Sequence, residues 1–284
     1  MTAKLLYSKP VIDQEILRLR STCAELSKNL RAPKMAVILV GNNPASMIYV
    51  KNKKIFCEKV GADCEIISLD KTISEPEFLN KLNETTNDSS IDGLIVQLPL
   101  PKQLQKINLG KLIPANKDLD GFNIENLYRL YSGNNDGVYP CTPKGIVKLL
   151  EFYKIPIANQ KVTIIGRGIL VGKPLFHLMT NLNATVTLCH SKSNIQNYIN
   201  DSDIIVLAAG CCNLIKKSNF EPRKDCVIID VGINVVDGKI TGDCNCEEIA
   251  TKVSAITPVP KGIGPMTIWG LVDNLITLAK NNRK

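Results

Sequence analysis

Val162-Thr-Ile-Ile-Gly166-Arg-Gly168-Ile-Leu-Val-Gly172-Lys-Pro174 reads as strand, glycine turn and helix. Glycines in such a turn let the backbone approach a pyrophosphate, whose charge is favoured at the helix N-terminus. The spacing is G-x-G-x3-G, one residue longer than the usual dinucleotide fingerprint. Tight strand-to-helix turns use glycine for their own geometry too, so the run alone identifies no ligand.

The next strand narrows the reading. In an NAD site an acidic residue closes that strand and bonds the ribose 2′-hydroxyl. Here strand Ala184–Cys189 is followed by His190-Ser191-Lys192-Ser193, with no carboxylate. Hydroxyls and a lysine, with Arg167 near, suit a 2′-phosphate, so the cofactor expected is NADP. The alternative is a polar solvated loop.

Outward from this core, short β-rich runs alternate with amphipathic stretches, which implies a parallel α/β fold. Val11–Leu30 carries Ile12, Ile16, Leu19, Cys23 and Leu26 at helical spacing, and Met35–Val40 is a buried strand stopped by Gly41. Asn43 and Pro44 make an N-cap and first helical position, and the helix runs to Val60, with Gly61 as its stop. Strand Cys64–Leu69, helix Glu75–Leu82 and strand Gly93–Leu98 follow. After a proline-punctuated middle the alternation restarts. Its elements are helix Pro143–Tyr153, strand Lys161–Ile165, helix Val171–Leu182 and strands Ala184–Cys189, Ile204–Ala208 and Val227–Val231. Pro265–Lys280 is a last helix that packs back on the first domain. With the boundary near Tyr139, residues 1–139 plus 266–284 form one domain. Residues 140–265 form a second, Rossmann-like domain with a mostly parallel sheet.

Composition bounds the function. Of 284 residues, 44% are hydrophobic and 22% charged, which excludes a disordered tail, a collagen-like fibre and a coiled coil. The longest apolar runs, Met35–Val40 and Ile204–Ala209, fall far short of the roughly 20 residues a membrane helix needs. The start has no apolar signal core, so the cytoplasm is the expected location. The net charge of +8 is spread rather than blocked, which suits an anionic small molecule and not a nucleic-acid arm. Cys211-Cys212 and Cys244-Asn-Cys246 lack zinc-type pairs, so the ten cysteines read as free thiols. With only His177 and His190, no metal site is expected.

The first half holds a second kind of signal. Tyr49 and Lys53 are four apart and share a helix face. Asp92-Gly-Leu-Ile-Val-Gln97-Leu-Pro-Leu-Pro101 is an apolar strand ending in an amide and a proline-rich turn. Strand C-termini are where ligands sit in open α/β sheets. Lys117-Asp-Leu-Asp120-Gly-Phe122 puts carboxylates in a turn. Taken singly, each also reads as a solvated helix face, a strand end or an ordinary Asp-Gly turn.

Together these segments resemble the methylenetetrahydrofolate dehydrogenase/methenyltetrahydrofolate cyclohydrolase family over nearly the whole chain. The carriers include Val40-Gly-Asn-Asn-Pro-Ala-Ser46 with Tyr49 and Lys53, Gln97-Leu-Pro-Leu-Pro101, Lys117-Asp-Leu-Asp-Gly121 and Pro140-Cys-Thr-Pro143. Gly166-Arg167 with Val171-Gly172, Ala184–Ser191, Asp230-Val-Gly-Ile-Asn234, Gly242-Asp243, Thr257–Pro260 and Gly262–Thr267 complete them.

The resemblance implies two α/β domains around a cleft, a homodimer, and NADP-dependent oxidation of 5,10-methylenetetrahydrofolate. It also implies hydrolysis of the methenyl product to 10-formyltetrahydrofolate. By position Lys53 matches the catalytic lysine, Tyr49 and Gln97 its neighbours, and Asp120 the carboxylate that holds the pterin. Substrate contacts carry over to Leu98, Pro99, Pro258, Gly262, Gly264, Pro265 and Thr267, in part through a loop Pro258–Thr267. Cofactor contacts carry over to Gly166, Arg167, Gly168, Ile169, Val171, Gly172, His190, Ser191 and Ile233. Tetrahydrofolate one-carbon derivatives are the implied partners, with no nucleic acid and no membrane.

The residue types suit that chemistry. Hydride loss leaves an iminium-like cation, so oxidation needs positioning more than a base. Water addition to that cation needs proton transfers, and a partly buried lysine can titrate near neutrality. The chain departs from the family pattern at four places. Gly168 replaces a serine, Lys261 the first of two glycines, Cys212 a proline, and Cys244-Asn245-Cys246 an acidic-aromatic run. The competing readings are a dehydrogenase without the hydrolase, a shikimate-dehydrogenase-like oxidoreductase, and a non-catalytic RNA-binding protein.

Overall fold

The computed structural model describes residues 2–134 and 137–283. The chain runs through β1 (Lys4–Leu5), α1 (Ser8–Asn29), β2 (Lys34–Val40), α2 (Pro44–Val60), β3 (Asp63–Leu69), α3 (Glu75–Asn87) and β4 (Gly93–Val96). Next come α4 (Leu109–Leu112), α5 (Ile124–Ser132), α6 (Cys141–Phe152), β5 (Lys161–Ile165), α7 (Gly172–Asn181), β6 (Thr185–Cys189) and α8 (Gln196–Ile199). The last elements are β7 (Ile204–Leu207), β8 (Val227–Asp230), β9 (Asn234–Val236), β10 (Lys239–Thr241), α9 (Cys246–Ile249), β11 (Ala255–Ile256) and α10 (Ile263–Asn282).

Two compact units result. The first comprises Asp13–Arg129, Asn134–Cys141 and Ile268–Lys284; the second comprises Met1–Ile12, Leu130–Gly133 and Thr142–Thr267. Residues 1–12 therefore lie apart from the domain the sequence reading placed them in. The physical reason is pairing: Lys4 and Leu5 lie parallel to Ala255 and Ile256, so β1 becomes the edge of the second unit's sheet. The C-terminal boundary falls inside α10, between Thr267 and Ile268.

In the first unit the sheet order is β3-β2-β4, all parallel. β2 and β4 are buried almost throughout, as strands covered on both faces must be. Ala36, Ile38, Phe78, Leu82, Leu94 and Leu104 form the core here. The segment Lys117–Leu119 continues the sheet beyond β4: Leu94 N donates to Lys117 O at 2.7 Å and Leu119 N to Leu94 O at 3.3 Å. β3 and β4 both follow β2 in sequence but flank it on opposite sides. The C-terminal end of β2 is thus a topological switch point, where open α/β sheets bind ligands.

The second unit has a sheet of order β1-β11-β8-β7-β5-β6, parallel at every pairing. Its switch point is the C-terminal end of β5, flanked by β6 and β7. Ile165, Ile205, Leu207, Phe220, Ile228 and Ile256 fill the core on one side. An antiparallel hairpin, β9–β10, turns through Asp237 (φ 50°) and Gly238 (φ 74°). That is the Asp-Gly chemistry of a tight hairpin.

Lys261 is also left-handed, at φ 81°, in the position where the family pattern has glycine. Its carbonyl accepts Ser8 N at 3.0 Å and Ser8 Oγ at 2.9 Å, which fixes the backbone there. Lys261→Gly keeps both bonds and removes the side-chain penalty. The variant is expected to gain about 1 kcal/mol, seen as a higher urea midpoint at unchanged slope. A lower midpoint would mean the lysine stem contributes more packing than its conformation costs.

Candidate active site

The helix α2 sets one wall of the first unit's switch point. Asn43 accepts from Ser46 N at 3.1 Å, Pro44 occupies the first turn, and Gly61 ends the helix at φ 81°. Tyr49, Lys53 and Cys57 recur every four residues and share one face. Tyr49 is half-exposed, while Lys53 is 9% exposed. A lysine that buried needs a partner. Its Nζ donates to Gln97 Oε1 at 2.8 Å, and Gln97 Nε2 donates to Leu98 O at 2.7 Å, which orients the amide. Gln97 follows β4 directly, and its own N–H donates to Ile38 O at 2.9 Å, continuing the ladder. The expected strand to Leu98 stops at Val96, since Pro99 has no N–H to extend it.

Burial lowers the proton affinity of Lys53; Asp120, Cys141 and Cys64 partly restore it. Among the described residues no ion pair joins Lys53 to Asp120, so the two act through space. Burial raises Asp120 to about 6, against the opposing pull of Lys53 and with a small push from Asp118. Ammonium and carboxylate are thus both moved toward neutrality, which suits proton transfer at ordinary pH.

The two carboxylates of Lys117-Asp-Leu-Asp120 divide the work. Asp118 is buried and accepts from Gly121 N at 3.1 Å, Asn123 N at 2.7 Å and Asn126 Nδ2 at 3.0 Å. Asp120 makes no hydrogen bond among the described residues, which leaves its oxygens for a ligand. Gly121 is obligatory at φ 74°: a Cβ there would stand 2.7 Å from Tyr139 C and Pro140 N. Asn274, from α10, donates to Leu119 O at 2.9 Å and Tyr139 O at 2.8 Å, and Cys141 Sγ donates to Leu119 O at 3.2 Å. Sequence reasoning missed Asp118 and Asn274 as anchors. The Asp-x-Asp spacing marks a carboxylate pair without saying which one anchors the turn, and a contact spanning 155 positions leaves no local signal for Asn274.

In the second unit Gly166 follows β5 directly, and its N–H donates to Cys189 O at 3.0 Å. Gly166 has φ 119°, and a Cβ there would lie 2.2 Å from Ala208 O. A Cβ on Gly172 would lie 1.8 Å from Gly166 O, so the turn closes only with glycine at both ends. Nothing stands within 4 Å of the Cβ position at Gly168, which is open. Ile169 is 70% exposed and Val171 partly buried ahead of α7. After β6, Ser193 Oγ accepts His190 N at 3.0 Å and His190 Nδ1 accepts Lys192 N at 3.2 Å. Ser191, Lys192 and Arg167 are exposed, and none of the three side chains has a partner among the described residues. This donor set, with no carboxylate at the end of β6, fits a 2′-phosphate, and the closed glycine turn fits a pyrophosphate. The residues present therefore fit NADP.

Ile233 is exposed before β9. The Asp230–Asn234 and Gly242-Asp243 motifs are largely scaffolding: Asp243 accepts Ala209 N, Gly210 N and Cys211 N at 2.8–3.0 Å, and Asp230 accepts Gly232 N, Asp243 N and Cys244 N. Asp230 and Asp243 are a second pair that sequence reasoning quoted without a role.

Leu98 and Pro99 are exposed beyond β4. The expected loop Pro258–Thr267 is shorter than read, because α10 begins at Ile263 and takes in Gly264, Pro265 and Thr267. Thr267 Oγ1 lies 2.9 Å from Thr142 Oγ1. Gly262 is buried against Pro258 O, 2.4 Å from its Cβ position, whereas Gly264 is open.

Family models match both halves of the chain. The tetrahydrofolate dehydrogenase/cyclohydrolase catalytic domain matches residues 6–120, and the NAD(P)-binding domain of the same family matches residues 140–283. The chain is 43% identical over 257 residues to the bifunctional protein FolD of Bdellovibrio bacteriovorus, covering 89% of this chain and 88% of that one. A crystal structure of the bifunctional FolD methylenetetrahydrofolate dehydrogenase/cyclohydrolase from Campylobacter jejuni superposes with a TM-score of 0.94. Its identity is 39%, with 99% of each chain covered. The Trypanosoma brucei enzyme, solved with NADP cofactor and an inhibitor, gives 0.93 at 26% identity, covering 100% of this chain and 99% of that one.

Proposed function

Because the chain belongs to the tetrahydrofolate dehydrogenase/cyclohydrolase family, we propose that Lys53, Gln97 and Asp120 carry its chemistry, with Tyr49 beside them. The protein oxidises 5,10-methylenetetrahydrofolate with NADP and hydrolyses the 5,10-methenyl product to 10-formyltetrahydrofolate. The observation that supports the residue roles best is the 2.8 Å bond from Lys53 Nζ to Gln97 Oε1 at the switch point, facing a raised Asp120. When bound, NADP accepts the hydride that the methylene carbon gives up. The chain's part in that step is placement: Asp120 accepts hydrogen bonds from the amino-pyrimidine edge of the pterin, and Tyr49, Leu98 and Pro99 border it. In hydrolysis Lys53 takes a proton from the attacking water at Nζ and later returns one, while Gln97 Oε1 keeps Nζ in place. One assay tests the whole reading. Methenyltetrahydrofolate and reduced nicotinamide absorbances are followed together, with NADP and NAD in parallel. Turnover that accumulates methenyltetrahydrofolate without hydrolysis would leave a dehydrogenase alone. Homodimerisation is part of the proposal, and light scattering checks it.

Arg167, Ser191 and Lys192 are assigned to the 2′-phosphate. Arg167→Ala is expected to raise KM for NADP about 10–100-fold with little change for NAD, since only NADP has that phosphate. Gly168→Ser meets open space and is expected to keep or strengthen the preference. Equal losses for both cofactors would move Arg167 to the pyrophosphate.

A further inference from the structure

We propose that Asp243 is a positioning residue for the cofactor site, holding the loop after β7 in the shape that receives the dinucleotide. This role rests on placing NADP at the C-terminal ends of β5 and β6, and it accounts for the Asp230–Asn234 and Gly242-Asp243 motifs. Asp243 is fully buried, and no ion pair neutralises it among the described residues. A carboxylate in that state needs hydrogen-bond donors. Its Oδ2 accepts Ala209 N at 2.8 Å and Gly210 N at 3.0 Å, and its Oδ1 accepts Cys211 N at 2.9 Å and Asn234 Nδ2 at 3.0 Å. Successive backbone N–H groups thus converge on one side chain around left-handed Gly210 (φ 62°), the concave arrangement that binds anions. Leu214 N donates to the Asp243 carbonyl at 2.8 Å, so the same residue holds the far end of the loop.

That loop borders the glycine turn. β7 adjoins β5 at the switch point, and Ala208 N donates to Ile165 O at 2.8 Å. A Cβ on Gly166 would run into Ala208 O and stand 3.1 Å from Ala209 N, so the turn and the start of the loop touch. Asn234 follows Ile233 directly, and its amide donates to Gly242 O as well as to Asp243 Oδ1, both at 3.0 Å. One carboxylate therefore ties the loop after β7 to the segment after β8 that carries Ile233. Asp230 supports it in turn. Its Oδ1 accepts Asp243 N at 3.0 Å and Gly232 N at 2.9 Å, and its Oδ2 accepts Cys244 N at 3.0 Å. A Cβ on Gly232 would collide with Asp243 Oδ1, and one on Gly242 with Asp230 Oδ2, so both glycines admit a carboxylate at close range. With its N–H groups bound to Asp243, the loop is ordered before the cofactor arrives, and binding is spared the entropy of ordering it.

Two measurements test this. In the parental protein without cofactor, hydrogen exchange is expected to show the amides of Ala209, Gly210 and Cys211 protected as well as those of β7. Fast exchange there, slowed only by NADP, would overturn the proposal, because the cofactor would then be what orders the loop. Asp243→Asn keeps the shape but leaves one acceptor oxygen and turns an NH2 toward N–H donors. Isothermal titration is expected to show Kd for NADP and for NAD raised by the same factor, about tenfold if the competent loop is populated about one-tenth of the time. Hydrolysis of supplied methenyltetrahydrofolate, which consumes no cofactor, is expected to stay near the parental rate. Parental affinity for both cofactors with only a lower thermal midpoint would make Asp243 scaffolding alone and overturn the proposal. Where the variant does not fold, the exchange measurement decides. Arg167→Ala separates this role from the reading of the site. An Arg167 variant that binds NADP like the parent, beside an Asp243 variant weakened toward both cofactors, would remove the 2′-phosphate assignment and leave the positioning role standing.

Discussion

Lys53→Met is expected to reduce cyclohydrolase turnover by about 10²–10⁴-fold, the usual contribution of a positioned proton carrier. Methionine keeps the length and apolar stem of lysine and loses only the titrating nitrogen. Dehydrogenase activity is expected to fall much less, because hydride departure asks the site for geometry, and Gln97 and Asp120 stay in place. Stability provides an independent control. Burial works against the Lys53 ammonium, so exchanging it for an apolar side chain of similar volume is not expected to lower the thermal midpoint. A variant that folds as well as the parent, oxidises methylenetetrahydrofolate and accumulates the methenyl compound would separate proton transfer from positioning. Decay of methenyl absorbance at near parental rate would remove Lys53 from that role. A parallel collapse of both activities with a lower midpoint would make it structural instead.

Local chemistry explains which parts of this fold were readable. The Asn43–Pro44 start and Gly61 stop of α2 are written within a few residues, and the structure has both. The glycine turn after β5 was legible for the same reason. α3 runs past its expected end at Leu82 to Asn87, since Thr85 and Asn87 tie back to the preceding turn through Lys81 O and Asn83 O. β1 and β11 are two-residue strands with no periodicity to read. Their existence depends on each other across some 250 positions, and with them the place of residues 1–12. The site divides in the same way. Lys53, Gln97 and Asp120 announced themselves as residue types at strand ends and on a helix face. That Asp118 anchors the turn while Asp120 stays unbonded follows from which N–H groups the turn points inward, and spacing alone leaves the two carboxylates equivalent. Lys261 shows the converse: a departure from glycine in the sequence becomes a definite backbone strain once φ is known.

Asp120→Asn is expected to weaken binding of the folate substrate about 10–100-fold at pH 7.5 and to leave NADP affinity nearly unchanged. A charged hydrogen bond to a pterin edge is worth roughly 1.5–3 kcal/mol, and the amide loses the charge while keeping the shape. The pH dependence gives the sharper test. Asp120 titrates at about 6, raised by burial, so the native protein loses its acceptor charge as pH falls through that value. Parental substrate affinity is expected to decline below pH 6, while the asparagine variant follows no such break. Stability carries the opposite sign. The folded pKa lies above the ordinary carboxylate value, so between about 4 and 6 the native state holds a proton that the unfolded chain has lost. The ionised group therefore opposes folding above about pH 6, and that penalty vanishes below about 4. Asparagine removes it, although Lys53 then loses one of the charges that support its ammonium. The midpoint difference, variant minus parent, is expected to rise from pH 4 to pH 7. A carboxylate retained for structure would show the reverse, a variant less stable at neutral pH than the parent. Isothermal titration with substrate and with NADP at pH 5.5 and 7.5, beside thermal melts at the same pH values, decides between them. Weaker substrate binding in a protein that has become no less stable would mark Asp120 as a group held ionised for its ligand. Equal losses for both ligands would return it to the turn.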